Sequence, residues 1–531
     1  MKLGYTLFFA LLNSLLFFSS GCRNSNLPAD DADKESVEYV IAWSDFRNYI
    51  EEFNEKDEEL YIQHVPNSNT GEFLKKNIPY FQCPDKELEK TYYFRWWTFR
   101  KHIRSTPDGF VITEFLPDVP WAGKHNTISC PAGHHFYEGR WLHNVSYLQD
   151  YANFWFKGGA SPRSYSVWAA NSILAFAQVH QNRELVTDLF PYLVENYKAW
   201  EETNLCDDGL FWQVDDRDGM EVSVGGSGKR ATINSYMYGD AMAISSIADM
   251  AGNQSIKEEY KSKAANLKSL VLNKLWDEDA GSFKTLAKDE NELADVCELH
   301  GYTPWYFNIP EDEHSKAWEY LLSTNGFKAP YGPTTTEQKH PGFKIAYEGH
   351  ECQWNGPSWP FATSVTLKAM ANLLRNYNQN YISKTEYLNL LQTYSNSHRI
   401  FNKNGDTVCW IDENLNPFTG DWISRTMLKA RGSKTVERGK DYNHSTFCDL
   451  IISDLVGIRP SMNDYLTIYP LVPDAYWDWF CLDKVKYHNK ILTIIWDKDG
   501  TKYKRGKEFS IFIDHQLKHN SQNLEKLKIK I

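Results

Sequence analysis

The feature that most limits how this chain can fold is a repeated pairing of apolar stretches. Tyr165 to Val179 is apolar almost all round, as a helix with no wet face would be. Val186, Leu189, Phe190, Leu193, Tyr197 and Trp200 follow at spacings of 3, 4 and 7, which gives a single apolar face. The alternation recurs. Met237 to Ala251 is apolar with small residues, and Lys257 to Trp276 is lysine-rich with apolar Tyr260, Ala264, Leu267, Val271 and Leu275. Trp359 to Leu374 is apolar, Thr385 to Ser397 is amphipathic, and His444 to Val456 is apolar again. A buried helix followed by a half-exposed one, repeated, is what a two-layered helical barrel needs: its inner ring has no wet face and its outer ring has one. The spacing therefore predicts a mainly α chain, with helix pairs between about Arg140 and Gly457. Six such pairs make an (α/α)6 toroid.

The flanks read differently. Leu466 to Ile468, Val485 to Tyr487, Ile491 to Trp496 and Phe509 to Ile513 alternate or run apolar with β-branched residues, and Asn489-Lys490 and Gly500 supply turns. This predicts a small C-terminal β-sheet module over 461–531. Val37 to Glu89 carries mixed signals. The expected organisation is a leader over 1–22, a tether and N-terminal cap over 23–89, the toroid over 90–460, then the β module.

The leader has the build of an export signal. Lys2 gives a positive charge, Leu7 to Phe18 is nearly all apolar, and Ser19-Ser20-Gly21-Cys22 follows. About 12 apolar residues fall short of the roughly 20 that a membrane span needs. Small residues before a cysteine resemble a bacterial lipobox. On that reading Cys22 is the lipidation site, and the chain is an exported lipoprotein held on a membrane, facing the periplasm or the cell surface. Arg23 to Glu35 reads as a flexible tether. The other eight of the nine cysteines are scattered singly with no CxxC pair, so no zinc cluster is suggested.

Composition narrows the function classes. Among 531 residues, 69 are acidic and 57 basic, for a net charge of -12. No dense Lys/Arg stripe offsets that balance, so nucleic acid is not an expected partner. Aromatics make up 15% of the chain, with 19 Trp and 31 Tyr. Such rings fill cores, and they also pack against the apolar faces of sugars.

The segments between the helix pairs are rich in Trp, Gly, Asp, Glu and His: Trp121 to Trp141, Asp207 to Asn234, Tyr347 to Pro360 and Trp410 to Arg425. In a toroid such loops gather at one mouth, where a site can be built. Gly225-Gly226-Ser227-Gly228 lacks the strand-turn-helix setting of a phosphate loop, and no GxSxG elbow is present. His125, His134 and His135 lack the spacing of a metal site, so no metal is expected. Carboxylates are the better lead. One cluster is Asp215 to Glu221 and another is Asp412-Glu413, each in a polar turn between apolar helices. Two carboxyl groups facing each other across a pocket can cleave an acetal, one as a protonated acid and the other as a base or nucleophile. The same residues in loops also serve as solvated charges or helix N-caps, and spacing alone does not select the pair.

Three segments carry a family resemblance. Asp218-Gly219-Met220-Glu221-Val222-Ser223 resembles the Ser-Gly-x-Asp-x-Ser stretch of glycoside hydrolase family 63 and of its trehalase relatives in family 37. Gln353-Trp354-Asn355-Gly356-Pro357-Ser358-Trp359-Pro360 resembles their Tyr-Trp-Arg-Gly-Pro-x-Trp or Gln-Trp-Asp-x-Pro segment. Glu413-Asn414-Leu415-Asn416-Pro417-Phe418-Thr419-Gly420 is similar to their Glu-x-Tyr-x-Pro-x-Thr-Gly segment. All three occur in the family order. The resemblance implies an (α/α)6 catalytic domain that hydrolyses glycosidic bonds in oligo- or polysaccharides with inversion. Substrates of these families include α-glucosides, trehalose and mannosylglycerate.

Carried over position by position, the general acid falls on Glu221, where the family has Asp, and the general base on Glu413. Asp218 is the fallback acid or a sugar-orienting group. Gln353, Trp354 and Trp359 are expected to line the pocket, with Asn234 and Tyr236 near its mouth. Trp121, His125, His135, Glu138 and Arg140 lie where relatives have a sugar-contact loop. This chemistry requires no cofactor. The Asp-to-Glu change keeps a second reading open, a non-catalytic sugar-binding surface lipoprotein on a degenerate toroid. A toroid isomerase or lyase is a third, with His134, His135, His350 and His444 as the histidines an isomerase would use.

Overall fold

The computed structural model describes residues 39–289, 292–401 and 405–531. The leader, the tether and Cys22 lie outside the described residues. Two concentric rings of helices form the body. The inner ring is Ala132–Gly139, Ala169–His180, Ala231–Met250, Thr303–Tyr306, Pro360–Asn376 and a π-helical turn, Leu450–Leu455. The outer ring is Lys86–Lys101, Ser146–Lys157, Arg183–Asn204, Gln254–Lys274, Ala317–Leu321 and Lys384–Ser397. The described residues thus form an (α/α)6 toroid.

The burial pattern follows the sequence periodicity. Ala169–His180 buries nine of its 12 residues, whereas Gln254–Lys274 buries only Tyr260, Ala264, Leu267 and Val271. Asn182, Asn253 and Ser383 cap three outer helices with side-chain acceptors for backbone N–H groups. Gln181, in the left-handed region at φ 52°, ends the inner helix Ala169–His180. No helix among the described residues is long and apolar enough to cross a membrane.

Two contacts close the rings. Outside, Lys384–Ser397 packs on Lys86–Lys101, and Ser395 Oγ donates to Thr91 Oγ1 at 2.9 Å. Inside, the Glu138 carboxylate accepts the backbone N–H groups of Phe447, Cys448 and Asp449 at 2.9–3.1 Å. That contact ties the first inner helix to the last.

The C-terminal strands form a five-stranded antiparallel sheet in the order Tyr80–Gln82, Trp479–Tyr487, Lys490–Asp497, Glu508–Ile513, Gln516–Ser521. His488 and Asn489 turn the central hairpin with φ of 48° and 59°. A second sheet joins Leu527–Lys530, Tyr465–Ile468 and Ile458–Arg459. The first strand of the large sheet comes from the N-terminal part of the chain. The sheet meets the toroid at His488, whose backbone N–H donates to Val179 O at 3.0 Å. The eight described cysteines are free thiols, and Cys83, Cys297, Cys409, Cys448 and Cys481 are buried.

Candidate active site

Loops that precede the inner helices meet at one mouth of the toroid around a cavity of about 300 Å³. Three of them carry the segments singled out in the sequence, and backbone hydrogen bonds join these in a row. The N–H of Trp354 donates to the carbonyl of Glu221 at 3.0 Å. Ser358 and Leu415 exchange a pair of backbone hydrogen bonds at 2.9 and 3.0 Å. The first segment is thereby fixed to the second, and the second to the third.

Glu221 sits on a tightly built turn. Asp215–Asp218 forms a 3-10 turn that Gly219 ends at φ 72°. A β-carbon at Gly219 would lie 2.5 Å from Cys130 Sγ, so only glycine fits there. Asp218 anchors this turn. It is fully buried, accepts from Arg230 Nε at 2.8 Å and from the Thr232 hydroxyl, and does not line the cavity. Arg230 also donates to Ser223 Oγ at 3.1 Å and to the Gly226 carbonyl, and so grips both ends of the loop. Val222, a β-branched residue, is held at φ 65° directly after Glu221. That region disfavours such a side chain, so the surrounding contacts impose the conformation.

The Glu221 carboxyl is half-buried in the cavity wall. Burial pushes its pKa up to about 8, and the charges of Asp216 and Glu413 push the same way. Glu413, which lines the same cavity, stands in a different setting. It is 1% exposed and accepts from Ser424 Oγ at 2.5 Å and from Arg438 Nε and Nη2 at 2.9 and 3.2 Å. Asp412, beside it, turns away from the cavity and accepts the Glu413 backbone N–H at 2.9 Å. Burial raises its pKa to about 7.

Trp354 and Trp359 both line the cavity and stack with ring centroids 4.7 Å apart. Gln353 is buried behind them. Its side-chain amide donates to the carbonyls of Glu348 and His350, and its backbone carbonyl accepts from Trp359 Nε1 at 2.8 Å. Trp121 stands at the rim, 46% exposed, with the Arg438 guanidinium 5.4 Å from its ring centroid.

The other expected contact residues lie elsewhere. His125 pairs with Asp108 at 2.6 Å outside the cavity. His135, Glu138 and Arg140 belong to the buried helix Ala132–Gly139 and its C-cap, where the sequence reading placed a loop. His135 bonds Asn443 O and the Tyr151 hydroxyl, and Arg140 bonds Asp449. Asn234 is wholly buried, pairing with the backbone N–H and C=O of Phe211. Tyr236 packs 4.7 Å from Trp168 below the cavity.

The structure adds groups that no motif marked. Glu114 lines the cavity, accepts from the Tyr442 hydroxyl, and is pushed up to about 8 by burial, with the charges of Glu413 and Glu221 adding to the effect. Arg438 arrives from a polar run with the look of an ordinary surface turn. Cys130 and Cys352 line the wall, and His350 and His444 are the two of the four flagged histidines that reach the cavity.

The model of the mannosylglycerate hydrolase MGH1-like glycoside hydrolase domain matches residues 124–445. The chain belongs to that family. The model of the glycosyl hydrolase family 65 C-terminal domain matches residues 459–518, the β-rich tail.

Among solved structures, one described as a sialidase is 39% identical with a TM-score of 0.86. The match covers 92% of this chain and 45% of that one. A family 78 rhamnosidase of Bacillus sp. GL1 shares the fold at 12% identity and a TM-score of 0.53, covering 79% of this chain and 40% of that one. A protein of Borreliella burgdorferi is 28% identical over 178 residues, 32% of this chain and 36% of its own length. The chain therefore spans less than half of these relatives. The family match marks residues 124–445 as a glycoside hydrolase domain, and the structural likeness shows the fold.

Proposed function

We propose that the protein hydrolyses a glycosidic bond with inversion, with Glu221 as general acid and Glu413 as general base. One observation carries this reading: the two carboxyl groups line a single cavity in opposite electrostatic settings. Glu221 keeps its proton at neutral pH and can give it to the leaving oxygen. Glu413, in an ion pair with Arg438, can accept a proton from water. The stacked indoles of Trp354 and Trp359 offer a flat wall for a sugar ring. Inversion requires the two carboxyl groups to stand roughly 6.5–9.5 Å apart with a water between them.

The lining favours an uncharged sugar. Glu114, Asp216, Glu221, Glu351 and Glu413 face the cavity, with Arg217 and Arg438 as its basic residues. Arg438 is already engaged by Glu413, so an acidic sugar finds little positive charge to meet its carboxylate. In this reading the lipobox-like Cys22 holds the enzyme on a membrane outside the cytoplasm, where glycan fragments reach it.

The test is a screen of wild type and Glu413→Gln against aryl glycosides and oligosaccharides, read by reducing-sugar release, with the product anomer assigned by NMR. Release by wild type alone, with the inverted anomer formed first, is the expected result. Undiminished release by the variant would remove Glu413 from the mechanism. Binding of a glycan without any release would favour the sugar-binding lipoprotein.

A further inference from the structure

A second cavity, of about 390 Å³, opens at the opposite mouth of the toroid, lined by residues of five inner helices and the segments that leave them. A layer of aromatic rings separates it from the catalytic cavity. Trp168 lies 5.6 Å from Tyr306, which lines the second cavity, and 6.4 Å from Phe361, which lines the first.

The charged groups that line this chamber are all basic: Arg140, Lys368 and Arg459. Their carboxylate partners sit behind them. Arg140 Nε and Nη2 reach Asp449 at 2.9 and 2.7 Å, Lys368 Nζ reaches Asp454 at 3.0 Å and Asp449 at 3.4 Å, and Arg459 Nη1 reaches Asp454 at 3.1 Å. Arg375 adds a fourth cation on Asp454 at 2.8 Å. Four cations thus share two carboxylates. The nearby Glu138 does not even the balance, because it accepts three backbone N–H groups and faces Arg95 at 4.0 Å.

Arg140 and Lys368 are 3% and 6% exposed, so solvent screens them poorly. Burial, together with the neighbouring cations, lowers the pKa of Lys368, and that of Arg375 to about 10. In a chain of net charge -12, a chamber lined by positive charge alone is a local inversion. Its size falls in the range of small-molecule sites. Asn171, Gln178 and Asn372 add neutral polar groups to its wall, and exposed Met242 and Asn308 stand at its rim.

We propose that this chamber binds a small oxyanion, a phosphate- or carboxylate-bearing molecule, against Arg140, Lys368 and Arg459. This assignment does not rest on the catalytic reading. Calorimetry on the full chain tests it, with inorganic phosphate and citrate as probes against chloride of matched ionic strength. The expected result is saturable binding of at least one probe to one site per chain. Preference for one probe identifies the anion type.

Arg459→Met should weaken that binding about tenfold, the loss of one charge-assisted contact. Asn308→Asp, at the exposed rim, brings a repelling charge without touching the core, and should weaken it in the same direction. Glu413→Gln should leave it unchanged. No saturable binding of either probe overturns the proposal. So does binding that Asn308→Asp leaves unaltered, whether or not Arg459→Met folds. Loss of binding in Glu413→Gln also overturns it, by moving the anion to the other mouth.

Discussion

Arg438 grips Glu413 with two nitrogens, Nε to one carboxylate oxygen at 2.9 Å and Nη2 to the other at 3.2 Å. The fork fixes the plane of the carboxylate as well as its position. Glu413→Gln should lower kcat by about a thousandfold, the usual size of a lost general base. Arg438→Lys keeps the charge and loses the fork, and should fall between wild type and Arg438→Met. Steady-state kinetics on the substrate found by the screen decides this. Equal activity of Arg438→Lys and wild type would show that geometry at Glu413 is not limiting.

The raised pKa of Glu221 predicts a pH limit. A general acid works only while protonated, so kcat/KM should fall as pH rises through about 8. Glu221→Gln should remove most activity toward alkyl glycosides. It should spare glycosyl fluorides, whose leaving group needs little protonation. A pH–rate profile without an alkaline limb would take the acid role from Glu221.

Glu114 should leave a mark on stability. Its pKa rises from 4.5 unfolded to about 8 folded, so the folded state holds the proton more tightly. The resulting stabilisation is complete below pH 4.5 and is lost as pH rises through about 8. Glu114→Gln cannot ionise, and its carbonyl can still accept from Tyr442. The melting temperature of Glu114→Gln relative to wild type should therefore be higher at about pH 9 than at about pH 4. A constant difference across that range would show that Glu114 carries no such proton.

Gly219→Ala tests the turn under Glu221. It puts a β-carbon at φ 72° and 2.5 Å from Cys130 Sγ. The backbone term alone should cost about 1–2 kcal/mol. Urea denaturation reads that loss, and kcat should fall with it, because the displaced turn carries the acid. Wild-type stability and rate in Gly219→Ala would mean that the turn tolerates the clash by a small shift.

If Cys22 carries the proposed lipid anchor, radiolabelled fatty acid should enter the wild-type chain in the membrane fraction and be absent from Cys22→Ser. Equal labelling of both would place the lipid elsewhere or exclude it.

The sequence exposed the rings where a helix was long and one-sided, or long and wholly apolar. Val186 to Trp200 lies inside Arg183–Asn204, and Thr385 to Ser397 matches Lys384–Ser397 almost to the residue. It hid them where a helix was short or enclosed. Thr303–Tyr306 is a single turn with no period to read, and Ala132–Gly139 buries polar and apolar residues alike. His135, Glu138 and Arg140 therefore read as loop chemistry, although they brace the core.

The strand Tyr80–Gln82 was invisible for another reason. Its partner lies about 400 residues further on, and only three residues pair. At the site, the three ordered segments pointed to Glu221, Glu413 and the two tryptophans. Glu114, Arg438 and Tyr442 belong to no local pattern, because only the closed ring brings them to one cavity.

The seam between Lys86–Lys101 and Lys384–Ser397 sets a timetable for making this molecule. The first outer helix is buried along nearly its whole length, with Tyr92, Tyr93, Trp96, Trp97 and Phe99 in the core. Its closing partner leaves the ribosome almost 300 residues later. At about 5–20 residues per second, the face of that helix that carries Thr91 and Arg95 stands without its partner for tens of seconds during synthesis. A nascent chain in that state holds an open ring. Late closure means that the outer ring is completed only after most of the toroid has been synthesised.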